Sequence, residues 1–187
     1  MRKTVVIAAL AVLCAFGAAQ AQSNIGFFGI GGKLGITDPG AGVGSAITFG
    51  ASANLGTIMD GKIGLQADVT YWAKDYGFGD DWKISQFGIA VIGKYYFAAD
   101  TEKLRPFAGG GLGFNINSVS GPSYTDPWTG HEEDNDASDT DIGLHIVGGV
   151  DYQLSEQVTG FAEFRYMVGG DWDFYAIFVG AIFNLNK

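Results

Sequence analysis

Cysteine occurs once in the 187 residues, at Cys14, inside an N-terminal segment with the form of an export leader. The rest of the chain therefore holds no disulfide, although export would take it to a compartment where disulfides form. Hydrophobic residues make up 47% of the sequence. Yet no run beyond the leader approaches the ~18 apolar residues that a membrane helix needs. Positive charge is also scarce. Without Arg2 and Lys3, nine basic residues face twenty acidic ones, and the net charge moves from −9 to −11. That balance argues against nucleic acid or an anionic surface as a direct electrostatic partner. It leaves divalent cations, or a lipopolysaccharide layer bridged by them.

The leader has three parts. Met1-Arg2-Lys3 is a charged start, Val5 to Ala18 an apolar core, and Ala19-Gln20-Ala21 a small-residue cleavage site. The expected signal peptide is 1–21, cut after Ala21, and the remaining domain is 22–187. Leu13 is too large for the position before a lipoprotein cysteine, so no lipid attachment is expected at Cys14.

What is abundant is glycine and alternation. Thirty glycines are over twice the usual ~7% share. In 63–73, Ile63, Leu65, Ala67, Val69, Tyr71 and Ala73 fall on one parity, and Gly64, Gln66, Asp68, Thr70 and Trp72 on the other. A period of two means a strand with two unlike faces. Its apolar face runs about ten residues, the length of a tilted membrane-crossing strand.

Eight such strands are expected, at 25–36, 45–55, 63–74, 83–97, 104–117, 141–154, 158–167 and 174–185. The first turns Phe28, Ile30, Leu34 and Ile36 outward. The last is apolar on both parities, with Ile177, Val179, Ala181, Phe183 and Leu185 taken as outward. Short turns at 56–62, 98–103 and 155–157 alternate with a loop side that includes the long acidic 118–140. That is the rule of an all-β, eight-stranded, antiparallel up-and-down transmembrane barrel. Both termini are then periplasmic. The last strand ends near the C-terminus, so no second domain is expected. A soluble barrel would reverse the faces. Against it, Gly, Gln, Asp, Thr, Asn and Lys share one face. Tyr71, Trp72, Tyr76, Trp82, Tyr95, Tyr96, Tyr166 and Trp172 cluster at strand ends like an interface girdle.

Two stretches, Lys94-Tyr-Tyr-Phe97 and Arg105-Pro-Phe-Ala-Gly-Gly-Gly-Leu-Gly-Phe114, resemble the mid-barrel signature of the small outer-membrane β-barrel family. That family includes the OmpA-, OmpX- and opacity-type barrels. Gly143 to Leu154 and Gly160 to Tyr166 are similar to its sixth and seventh strands. The resemblance implies a monomer seated in outer-membrane lipid and lipopolysaccharide and inserted by the barrel-assembly machinery. Such barrels usually end on an aromatic that the machinery recognises. This chain ends Phe183-Asn-Leu-Asn-Lys187, so Phe183 would have to serve.

The candidate site residues divide between lumen and loop. Lys33, Asp68, Lys94, Glu163 and Arg165 fall on the inward parity. An eight-stranded barrel is just wide enough to be filled by side chains, so these charges must pair or be hydrated. They form either a salt-bridged plug or a gated ion path. His145 also points inward, without a serine at a recognisable spacing and without access to lipid, so a lipid-modifying enzyme is not favoured. His131 falls in the loop. No catalytic residue and no cofactor is expected. The glycine clusters at 29–32 and 109–113 lack the helix that would hold a phosphate. In the acidic loop, Glu132, Glu133, Asp134, Asp136, Asp139 and Asp141 are weak candidates for divalent-cation ligands. Tyr124 and Trp128 beside them suit a protein or glycan contact. The function expected is non-enzymatic and structural or at the cell surface. The alternative is a small channel or carrier for ions or apolar solutes.

Overall fold

The computed structural model describes residues 24–40, 42–76, 82–99, 101, 103–122, 124–125, 132–133, 135–169 and 173–185. The leader assigned to 1–21, its cleavage site, Cys14, Trp128, His131, Asp134 and Trp172 lie outside them. Eight long strands carry the fold: β1 (Asn24–Asp38), β2 (Ala46–Ile58), β3 (Ile63–Tyr76), β4 (Trp82–Tyr96), β5 (Leu104–Ser120), β8 (Ala137–Gln153), β9 (Val158–Val168) and β10 (Phe174–Asn184). Two short strands, β6 (Tyr124–Thr125) and β7 (Glu132–Glu133), pair within the connection from β5 to β8.

Each long strand pairs antiparallel with its neighbours in sequence, and β1 closes on β10 to complete a barrel. The closing seam runs from Gly29↔Asn184 to Asp38↔Tyr175. A last bond from Leu185 N–H to Phe28 C=O, 2.7 Å, extends it. Closure leaves the barrel without a free edge along the seam, as backbone in lipid requires.

The alternation read in the sequence sets the two faces. Ile30, Leu34, Phe49, Ile89, Leu112, Leu144, Phe164, Ile177, Val179 and Phe183 are exposed on the outside, while Lys33, Gln66, Asp68, Lys94, Glu163 and Arg165 are buried inside. This is the inverse of a soluble barrel. On β8 the outward apolar residues run from Ile142 to Tyr152. Ten steps of ~3.4 Å at a tilt of about 45° rise about 24 Å, close to the ~25 Å apolar band of such barrels. Even the ambiguous last strand has the parity expected: Phe174, Ala176, Phe178 and Ile182 are buried inside, and the last three pack with Phe161.

Several expectations are corrected. Trp72 does not join a girdle. It is buried in the lumen with Ala46 and Ile84, where Val43 and Val119 pack on it. Tyr96 also points inward and packs on Phe107. A bulge between Ile25 and Gly29 shifts β1 against β2. Phe27 is therefore exposed, while Phe28 is half-buried with its ring over Gly26 and Gly56. The strands also overrun their expected ends. β5 continues to Ser120 and β8 begins at Ala137, so the acidic connection is 121–136 rather than 118–140.

The connections define two ends. Turns 59–62, 97–103 and 154–157 lie with Asn24 and Leu185 at what we term the turn end. The first is tight: Met59, Asp60 and Gly61 all have positive φ, and Lys62 N–H reaches Met59 C=O at 3.2 Å. At the opposite, loop end, 39–45, 77–81 and 169–173 are short, and 121–136 is the one long connection.

Candidate functional site

The lumen charges predicted from parity converge on one network. Arg165 of β9 ion-pairs with Asp68 of β3 across the barrel and with Glu163 two residues away at 2.5 Å. Its Nε donates to the same Glu163 oxygen at 3.0 Å. Asp68 is the busiest acceptor. Lys33 Nζ lies 2.8 Å away, Ser52 Oγ donates at 2.7 Å and Gln66 Nε2 at 2.8 Å. Lys94 sits between Glu163 at 3.4 Å and Asp151 at 3.7 Å.

Asp151 is the member that sequence reading missed. Its signal was present: the parity that turned Tyr152 outward also turned Asp151 inward. Three cations thus face three carboxylates, and the belt is neutral. Aromatic rings complete it. Lys94 lies 4.1 Å from the centroid of Phe107, and Lys33 4.6 Å from that of Phe178. Such faces stabilise a desolvated cation electrostatically.

Glycine makes room for these long side chains. A Cβ on Gly180 would lie 2.5 Å from the Phe161 ring, and one on Gly149 2.8 Å from that of Phe107. Both glycines face the lumen, so these are packing positions rather than turns.

Toward the loop end the lumen holds a hydrogen-bonded ladder of polar side chains. Trp72 Nε1 donates to Gln86 at 3.1 Å, Gln86 to Asn117 at 2.7 Å, and Asn117 to Asp141 at 3.0 Å. Thr37 and Thr48 share a 2.6 Å hydrogen bond beside them. Below this ladder His145 is 3% exposed, and neither ring nitrogen has a hydrogen-bond partner among the described residues. It points into the lumen, as its parity required. Among the described residues no hydrogen bond couples the imidazole to a nucleophile.

Of the six acidic candidates, Asp136, Asp139 and Asp141 have described side chains. Asp139 and Asp141 belong to β8, where they lie opposite Asn117 and Asn115 in the ladder. Asp136 is exposed at the start of that strand. Glu132 and Glu133 pair through their backbones with Thr125 and Tyr124. Among the described residues no three carboxylate, histidine or cysteine side chains are placed to hold a metal ion. In sequence, the loop-end segments and strand ends carry thirteen of the twenty acidic residues against two bases, Lys74 and Lys83.

The barrel is also taller on one side. β8 starts at Ala137, but β9 covers it only from Leu144↔Val168. On the other flank, β3 pairs with β4 up to Tyr76↔Trp82, while β2 reaches β3 only at Thr48↔Trp72. The sheet β3–β4–β5–β8 therefore stands above the rest at the loop end.

Comparison with known proteins agrees with this architecture. Residues 7–183 match the family model described as outer membrane protein beta-barrel domain. No curated protein sequence matches the chain. Among solved structures, the fold is similar to that of Neisserial surface protein A, with TM-score 0.62 at 17% identity, covering 85% of this chain and 96% of that one. It is similar to the N-terminal β-barrel domain of Pseudomonas aeruginosa OprF, with TM-score 0.53, 13% identity, and 86% and 99% covered. It is also similar to Ail, the attachment invasion locus protein of Yersinia pestis, with TM-score 0.53, 12% identity, and 85% and 97% covered. An apolar exterior, a charged lumen, a closed eight-stranded sheet and a family match over nearly the whole length agree: the chain belongs to the outer membrane protein beta-barrel family.

Proposed function

We propose that this protein is a non-enzymatic, monomeric barrel whose role is structural or at the cell surface, exercised through its loop end. The observation that carries this reading is the raised sheet β3–β4–β5–β8 with its acidic connection 121–136. A belt of paired charges spans the lumen, and Trp72, packed with Ala46 and Ile84, lies over it toward the loop end, so the barrel serves as the anchor for that sheet. The turn end, with both termini, then faces the periplasm and the loop end faces out. The likeness to a Neisserial surface protein and to an attachment protein supports the surface role. With this charge, lipopolysaccharide is met through divalent cations, and Phe183 is the aromatic offered to the assembly machinery.

The experiment has two arms. Protease added to intact cells should cut within 121–136 and leave the barrel in the membrane. Purified protein in planar bilayers should show no discrete conductance. Steady single-channel steps together with protected loops would replace this reading with the channel alternative.

A further inference from the structure

The ion belt does not fill the lumen to the turn end. Beyond it lies a cavity of about 270 Å3, whose lining comes from seven of the eight long strands, β2, β3, β4, β5, β8, β9 and β10. Among the described residues its charged lining consists of Lys94, Lys103 and Arg105 against the single carboxylate of Asp151. The belt already matches its three carboxylates with three cations. Among the described residues, neither Lys103 nor Arg105 has a carboxylate within ion-pair distance. The cavity therefore carries an excess of positive charge, and low-dielectric walls focus the field of such charges.

Arg105 is also held in place. Its guanidinium lies 3.8 Å from the centroid of the Tyr96 ring. That ring is fixed in turn by a hydrogen bond from its hydroxyl to Asp151, 2.8 Å, and by the edge of Phe107 at 6.1 Å. Stacking occupies the face of a guanidinium and leaves its N–H edges, the fork that matches an oxyanion. Thr57, Gln153 and Thr159 supply neutral polar groups around it, while Leu65 and Ile182 are the aliphatic side chains in the lining.

We infer that this cavity is a binding site for a small polar solute bearing an oxyanion, a carboxylate or phosphate group. Arg105 and Lys103 receive the anion, and Lys94 supplies the field at the floor. The lining encircles the lumen, so the opening is axial. A soluble anion enters along the barrel axis, and a lipid headgroup in the surrounding leaflet does not. The polar lining also disfavours an apolar solute. This inference is independent of the surface role, which concerns the other end.

The test uses the full protein folded in non-ionic detergent, with inorganic phosphate and then acetate as probes, at ionic strength held constant with sodium chloride. NMR signals of the Tyr96 ring and the Gln153 amide should shift saturably. In the double variant K103Q/R105Q the midpoint should rise about tenfold or more, as expected when a charge-assisted oxyanion contact is removed. K83Q, at the loop end, should behave as the parent. Both substituted rim side chains lie outside the buried belt, and a retained heat-shifted gel band confirms that the variant is folded. A linear drift without saturation, or an unchanged midpoint in K103Q/R105Q, overturns the inference.

Discussion

Arg165 holds two carboxylates at once, and its loss would fall unequally on them. Asp68 keeps Lys33, Ser52 and Gln66. Among the described residues Glu163 keeps only Lys94, at 3.4 Å. Arg165→Ala should therefore strand Glu163 and destabilise the barrel by about 3–5 kcal/mol, the usual cost of breaking a buried pair. Urea unfolding in lipid vesicles measures this. Unchanged stability with newly opened conductance would mean that the lumen is wet and the belt a gate. A second pair of substitutions tests packing. Gly180→Ala puts its methyl against Gly32 C=O and Phe161, each 2.5 Å from the new Cβ, and should cost about 1–3 kcal/mol. Gly148→Ala faces outward, with its nearest neighbour at 3.9 Å, and should change stability by less than about 0.5 kcal/mol. Equal effects would remove the argument that inward glycines make room for the plug. At this scale the sequence was informative wherever parity ruled. All six belt residues follow from counting by two, although the reading named five and passed over Asp151. Which carboxylate meets which cation did not, because cross-barrel partners such as Asp68 and Arg165 are set by closure and not by local spacing.

Among the elements, the hairpin of β5 and β8 departs most from its sequence reading. The reading stops one strand at Asn117 and starts the next at Asp141, since Asn, Asp and Ala are depleted in strands, and so leaves 118–120 and 137–140 to the loop. Pairing with the neighbouring strands overrides that tendency, and Asn117 and Asp141 add a side-chain hydrogen bond across the ladder. Strand ends were legible where a turn marked them, as at Asp60-Gly61. They were not where a strand simply continued beyond the apolar band. With Asp139 and Asp141 in the β5–β8 ladder, calcium binding falls to the irregularly spaced acids of 121–136, and its affinity should be no better than ~10⁻⁴–10⁻³ M. Millimolar calcium should slow protease cutting of 121–136 more than sodium chloride at equal ionic strength. Equal protection by the two salts would reduce the effect to screening.

For the whole molecule, the closed sheet and its faces were legible because one repeated rule, apolar out and small or polar in, runs through most of the long strands, with β10, apolar on both parities, as the exception. The raised side was not legible, since strand length beyond the membrane depends on partners and not on hydropathy. The closing seam carries a consequence of a different kind. Most ladders here join neighbours in the chain, so each can zip as a hairpin soon after its strands appear. β1 and β10 are joined only by pairing residues as far apart as Gly29 and Asn184. Closing so long a loop is entropically costly, and contacts of this separation form slowly. Until that stitch is made, two strands with unpaired N–H and C=O groups face hydrocarbon, where each such group costs several kcal/mol. The order of events is thereby constrained: β10 decides whether everything before it can stay in the membrane. A chain still lacking β10 is an open sheet with two adhesive edges, and is best kept out of the bilayer until the last strand arrives.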